Sequence, residues 1–183
     1  MKEVEWKLVC ELMKNSRRSD RELARVLGVS QPTVSRTMKK LEKEGVIKEY
    51  TMIPDFAKLG FGIMSVEFAK LAEPIPEEKL KEVRKQVRQT LWKDPMSMIV
   101  GMSGMGLNAD KVAVAFHEDY STYAEYLKKI KQHPSVLVGH VDSFLIDLND
   151  KSQYLPLTLS NLADYIAYKK RQEAKANTTD SDS

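Results

Sequence analysis

A chain of 183 residues, 42% hydrophobic and 30% charged, suits one large globular domain or two small ones. No apolar run approaches the ~20 residues of a membrane span, and the start "MKEVEWKLVCELMK" alternates charge with apolar residues, unlike a signal peptide, so a cytoplasmic protein without a membrane partner is expected. The single cysteine, Cys10, excludes an internal disulfide framework and a multi-cysteine metal site. The net charge of +3 is small but unevenly spread: residues 1–60 hold 13 Lys/Arg against 9 Asp/Glu, whereas residues 61–150 hold 11 against 13.

In chain order, Val4, Leu8, Val9, Leu12 and Met13 recur at helical spacing, and "KNSRRSD" ends that first helix. Ser19 is the expected N-cap of a second helix, with Glu22 completing a capping box. Leu23, Val26 and Leu27 form its apolar face, and Gly28 stops it. Ser30 caps a third helix, Pro32 sits in its first turn, and Gly45 ends it. "VIKEYTMI" then alternates and reads as a strand or wing.

Two helices joined by a short Gly-containing turn read as a helix-turn-helix. At about 100° per residue, Val34, Met38 and Leu41 fall on one side of the third helix. Arg36, Lys39 and Lys43 point the other way, flanked by Lys40, Ser35 and Thr33. That division suits a helix that enters the major groove of double-stranded DNA. Gln31, Thr33, Ser35 and Arg36 are candidates for base edges, because Gln suits adenine and Arg suits guanine. Lys39, Lys40 and Lys43 are candidates for phosphates, and Arg17, Arg18 and Arg21 for clamping the backbone. An ordinary solvated helix face is the competing reading. The turn, the following wing and the scarcity of acids on the outer face favour DNA.

Pro and Gly mark a boundary at 54–62. Beyond it the chain reads strand ("IMSVEFAKL"), helix (Leu80, Val83, Val87 and Leu91 inward), strand ("MSMIVGMS"), loop ("GMGLNA"), strand ("DKVAVAFH"), helix (Tyr123, Tyr126, Leu127 and Ile130 inward) and strand ("SVLVGHVDSFLIDL"). The order βαββαβ is the ferredoxin-like arrangement, an antiparallel sheet with two helices on one face. An apolar second face would ordinarily be covered by a partner subunit. After residue 150, Leu159, Leu162, Tyr165 and Ile166 predict an amphipathic helix, and the final "NTTDSDS" is too polar to hold a fold.

The fold class expected is therefore α+β: a winged helix-turn-helix domain over 1–53, a linker over 54–62, a ferredoxin-like domain over 63–150 and a helical tail over 151–183. No catalytic constellation, metal site or cofactor motif is evident. The "HED" at 117–119 has no second ligand pair, and the glycine loop at 101–106 opens no helix on which to seat a phosphate. The protein is accordingly expected not to be an enzyme.

The run "SDRELARVLGVSQPTVSRTMKKLEKEGVIKEYTMIPDFAKLGF" resembles the DNA-binding half of the Lrp/AsnC (feast/famine) transcription regulators. The resemblance rests on "R-x-S" at 17–19, "ELA" at 22–24, "GVS" at 28–30, "LEKEGVI" at 41–47 and the Leu59-Gly60 pair, and with the βαββαβ half it covers about 3–149. It implies a homodimer that associates further, into tetramers or octamers, through its sheets. It also implies a small effector, often an amino acid, bound between dimers near the turn joining the second and third strands. The family's Gly-x-x-Asp there falls within "SGMGLNAD" at 103–110, with its Gly and Asp at Gly104 and Asp110 and the connection three residues longer. This makes Ser103, Gly104 and Asp110 the candidate effector contacts, against a plain hairpin in which Asp110 bonds local amides. The added tail helix is a second departure, expected to pack on its own subunit or its dimer mate. Two other readings stand beside the regulator. One is a non-DNA-binding enzyme on the same plan, similar to the decarboxylases acting on sirohaem; the other is a ligand-sensing assembly module.

Overall fold

The computed structural model describes residues 1–94, 96–133, 137–152 and 157–179. In chain order its elements are α1 (Glu3–Lys14), α2 (Asp20–Leu27), α3 (Gln31–Lys43), β1 (Ile63–Leu71), α4 (Leu80–Lys93), β2 (Met98–Gly106), β3 (Ala109–His117), α5 (Tyr120–Lys131), β4 (Val138–Asp147) and α6 (Ser160–Thr179). They divide into two compact units, one of Met1–Ile53 with Gln153–Ser183 and one of Pro54–Ser152.

The first unit is helical. Leu8 and Leu12 of α1, Leu23 and Ala24 of α2, and Val34 and Leu41 of α3 form its core, with Val9, Leu27, Val29, Met38 and Ile47 packed around them. Each fully buried Leu or Val contributes about 1.5–3 kcal/mol by leaving water. The helix ends follow from their residues. The Ser19 hydroxyl and Glu22 close a reciprocal capping box on α2. Gly28 takes the left-handed conformation (φ 68°) that lets the Val29 N–H reach the Ala24 carbonyl, so α2 stops and the chain turns into α3 within three residues. Gly45 (φ 71°) ends α3 in the same way, with the Val46 N–H on the Leu41 carbonyl.

Several expectations are corrected in this unit. Val26 is exposed, and Ala24 takes the inward place instead. The segment "VIKEYTMI" forms no strand, since the described residues of the unit offer no second strand to pair with. Side-chain bonds hold it, from the Ser16 hydroxyl to the Thr51 carbonyl and from the Tyr50 hydroxyl to Glu42. The tail helix groups with this unit and packs on α1. Cys10 and Lys14, one turn apart, share the face that meets α6, where Lys14 Nζ lies 2.6 Å from Asp164. Among the residues of α6 whose side chains are described the buried one is Ala163, with Ile166 and Ala167 half-buried, while Leu159, Leu162 and Tyr165 stay about half exposed. A small residue lets two helix backbones approach closely, which fixes the helix rotation differently from a leucine-centred pattern. The helix also continues to Thr179, through the first part of "NTTDSDS"; the last four residues lie outside the described ones.

The second unit is a four-stranded antiparallel sheet in the order β2-β3-β1-β4. Residue 65 of β1 faces 115 of β3 and 145 of β4, so side chains alternate strictly between two faces. One face carries Ala115, packed under Tyr123 and Tyr126 of α5 with Met96, Met98, Leu127 and Ile130. Helix α4 is more loosely held: Leu80, Val83, Val87 and Leu91 are only half-buried. The other face carries Met64, Val66, Phe68, Val112, Val114, Phe144 and Ile146. At its edge Phe116 is covered by Phe56, stacked at 3.8 Å between ring centroids, and by Phe61. Gly62 passes so near the Glu118 carbonyl that a Cβ there would lie 2.7 Å from the oxygen.

The loop expected at "GMGLNA" is mostly strand. Only Leu107 and Asn108 turn, both left-handed (φ 49° and 51°), as in a type I′ hairpin.

Candidate nucleic-acid interface

The α2-turn-α3 geometry fixes which side of α3 is offered outward. Val34, Thr37 and Leu41 are buried and Met38 is half-buried, so the inward side is settled by packing. Gln31, Arg36, Lys39, Lys40 and Lys43 are exposed, and Thr33 and Ser35 are half-buried beside them. At the N-terminus the Ser30 hydroxyl accepts from the Thr33 N–H and lies 2.8 Å from Thr33 Oγ1. Free amide hydrogens at such an end favour an incoming phosphate. Arg36 folds back one turn, its Nε donating to the Pro32 carbonyl at 3.3 Å, which carries the guanidinium toward that same end.

The candidate cations divide into two groups. Arg17, Arg21, Arg36, Lys39 and Lys43 make no ion pair among the described residues. Arg18 is bound to Glu11 of α1, and Lys40 is bound to Glu5 of α1 at 2.6 Å and reaches Glu44 at 3.7 Å. The hydrogen bond from Lys40 holds the Glu5 carboxyl below its usual range, helped by the Lys2 backbone N–H, and the same bond raises Lys40. Lys40 therefore ties α3 to α1. Sequence reasoning could not see this, because the partners are 35 positions apart and no local pattern links them. It also missed the bond from Tyr50 to Glu42. Desolvation, with this bond and the nearby charge, pushes the Tyr50 hydroxyl up to about 12.

The candidate effector residues lie in the second unit, and the side chains of two of them, Asp110 and Ser103, are already engaged. Asp110 accepts from Lys70 Nζ at 2.9 Å and from the Leu71 N–H at 3.1 Å, and both bonds, the one from Lys70 first, lower its pKa. The Ser103 hydroxyl accepts from Lys111 Nζ at 2.8 Å. Gly104 is exposed between them in sequence and has no side chain. No group of three or more His, Cys, Asp or Glu residues able to hold a metal occurs among the described residues. No described helix is long and apolar enough to cross a membrane.

Comparison with known proteins agrees with this geometry. Residues 1–48 match a winged helix-turn-helix DNA-binding family model. An HTH-type transcriptional regulator of Pyrococcus furiosus is 31% identical over 130 residues, covering 71% of this chain and 79% of the relative. With other Pyrococcus regulators the matched stretch is shorter, 63%, 39% and 41% of the relative's length in three cases. Among solved structures, an AsnC-family regulator from Agrobacterium tumefaciens superposes with a TM-score of 0.67 at 21% identity, over 86% of this chain and 97% of that one. A Neisseria meningitidis transcriptional regulator in complex with L-Met gives 0.66 at 16% identity, over 88% and 99%. An outward cationic helix after a glycine turn, an α+β second unit of the same topology and a relative matched over most of its length agree on one assignment: the chain belongs to the Lrp/AsnC family of helix-turn-helix transcriptional regulators.

Proposed function

We propose that the protein is a sequence-specific DNA-binding regulator of transcription that acts as a homodimer or a higher assembly and answers to an amino-acid effector. The observation that carries the DNA-binding part is the division of α3, with Val34 and Leu41 fully buried and Arg36, Lys39 and Lys43 exposed without acidic partners among the described residues. Base reading falls to Gln31, Thr33, Ser35 and Arg36 at the N-terminal end. Phosphate contact falls to Lys39, Lys43, Arg17 and Arg21, with Lys40 and Arg18 placing the scaffold. The two recognition helices of a dimer would enter successive major grooves ~34 Å apart on a palindromic site. Support for the dimer is the apolar outer sheet face, and support for the effector is the likeness to the Neisseria regulator in complex with L-Met. Binding measured with and without each amino acid, in wild type and Asp110→Ala, tests the effector.

Genome-wide recovery of bound fragments followed by titration of one site tests the DNA reading. Arg36→Ala should weaken that site by ~1–3 kcal/mol and relax base choice at one position. Lys43→Ala should weaken all sequences alike and reduce the salt slope by about one. Wild-type binding by both variants would remove α3 as the reader.

A further inference from the structure

Helix α4 carries Lys81, Arg84, Lys85 and Arg88, all exposed. The spacing i, i+3, i+4, i+7 puts the four on one stripe two turns long, about 10 Å from end to end. None of them forms an ion pair among the described residues. The one acid inside the helix, Glu82, lies off the stripe and accepts from Gln86 at 3.1 Å. The apolar residues Leu80, Val83, Val87 and Leu91 occupy another side, so the stripe offers charge and no greasy contact. Arg36, Lys39, Lys40 and Lys43 of α3 repeat the same spacing. There, however, Lys40 is already neutralised by Glu5, so the α4 stripe is the less compensated of the two.

A merely solvated helix face mixes signs, because like charges at i, i+4 oppose helix formation. Helix α4 places two such pairs, 81 with 85 and 84 with 88, and Leu80, Val83, Val87 and Leu91, on its apolar side, are half-buried. A cationic stripe kept against that tendency fits a polyanion. A protein that already offers a cationic helix to DNA meets that polyanion at high local concentration.

We propose that α4 forms a second, sequence-independent DNA-binding surface, in which Lys81, Arg84, Lys85 and Arg88 hold duplex phosphates outside the segment read by α3. The proposal rests on the DNA-binding reading of the chain. Each bound phosphate releases condensed counterions, so each contact adds about 0.9 to the slope of log affinity against log salt. Phosphates outside that segment are present only when the duplex extends past it.

The test uses the full chain with Lys81, Arg84, Lys85 and Arg88 all changed to Gln, a residue that keeps helix propensity and relieves the repulsion. Affinity is titrated against salt on ~20 and ~80 base-pair duplexes carrying one site, beside Arg36→Ala and a Lys81→Arg/Lys85→Arg control. The quadruple variant should lose about 3.6 from the slope and about tenfold or more in affinity on the long duplex. It should match wild type on the short one, melt no lower than wild type, and be mimicked by neither control. An unchanged slope on the long duplex overturns the proposal. Loss of site binding in Arg36→Ala alongside that unchanged slope leaves the recognition role of α3 standing. Loss in the quadruple variant with Arg36→Ala unaffected does the reverse.

Discussion

Lys40 and Lys43 sit one turn apart on α3, yet the structure gives them different tasks. Lys40 is drawn back onto a carboxylate of α1, while Lys43 is left to the solvent side. The same logic of partner and burial applies to a polar cluster under α5. Glu67 is almost fully buried, accepts from the Tyr126 hydroxyl at 3.3 Å, and leaves Oε1 without a partner among the described residues. Burial pushes its carboxyl above the usual 4.5. His117, with Nε2 2.6 Å from the Ser65 hydroxyl and its ring against Tyr123 and Tyr126, is lowered below 6.5 by burial. Both shifts favour the neutral form, and their pH effects run in opposite directions. The contribution of Glu67 is complete below 4.5 and lost as pH rises through its raised folded value. The contribution of His117 is complete above 6.5 and lost as pH falls toward its lowered one. Glu67→Gln keeps the neutral shape at every pH, so as pH rises above 4.5 the urea midpoint of the variant should fall less than that of wild type. An equal fall would assign the alkaline loss to other groups.

At the scale of elements, what was legible was what local chemistry decides. Ser19 with Glu22, Gly28, Ser30 and Gly45 mark helix ends by bonds made within a few residues, and those ends were readable. The inward stripe of α3 was readable because Val34 and Leu41 repeat at the helical period. Features that depend on partners distant in the chain were not. The hairpin strands run through "GMSGMG", whose glycines argue against a strand until β3 is alongside to pair with them. The wing segment alternates like a strand and stays unpaired. The face of α6 was misjudged because Ala163, not a leucine, meets α1. The tail helix therefore completes the N-terminal unit, and a test follows from Cys10, which is nearly inaccessible and whose thiol is raised by burial. Ending the chain at Ser152 should open the side of α1 that Asp164 approaches and make Cys10 react with a thiol reagent at least about tenfold faster, at a rate independent of denaturant. Unchanged protection would show that α1 is covered there without α6.

For the whole molecule the open question is what covers the outer face of the sheet. Val66 of β1 lies between Val114 of β3 and Phe144 of β4, and Phe144 is 65% exposed although its neighbours across the sheet are all apolar. Such a face on an antiparallel sheet ordinarily packs against another layer, and the described residues supply that layer only at the Phe116 end, through Phe56 and Phe61. A twofold partner offering the same face would bury it and would also present two copies of α3 to one duplex. The position of Phe144 makes this testable without harming the monomer, because a side chain already open to solvent tolerates replacement. Phe144→Glu should leave the melting of the isolated subunit within about 0.5 kcal/mol of wild type. It should weaken self-association at least about 100-fold, near 3 kcal/mol, since two carboxylates would be desolvated against each other. Site-specific DNA binding should fall in step, because the second half-site contact would no longer be intramolecular. Light scattering across a dilution series, with DNA titrations at the same concentrations, separates the outcomes. A variant that stays dimeric and binds normally would move the dimer interface to another surface.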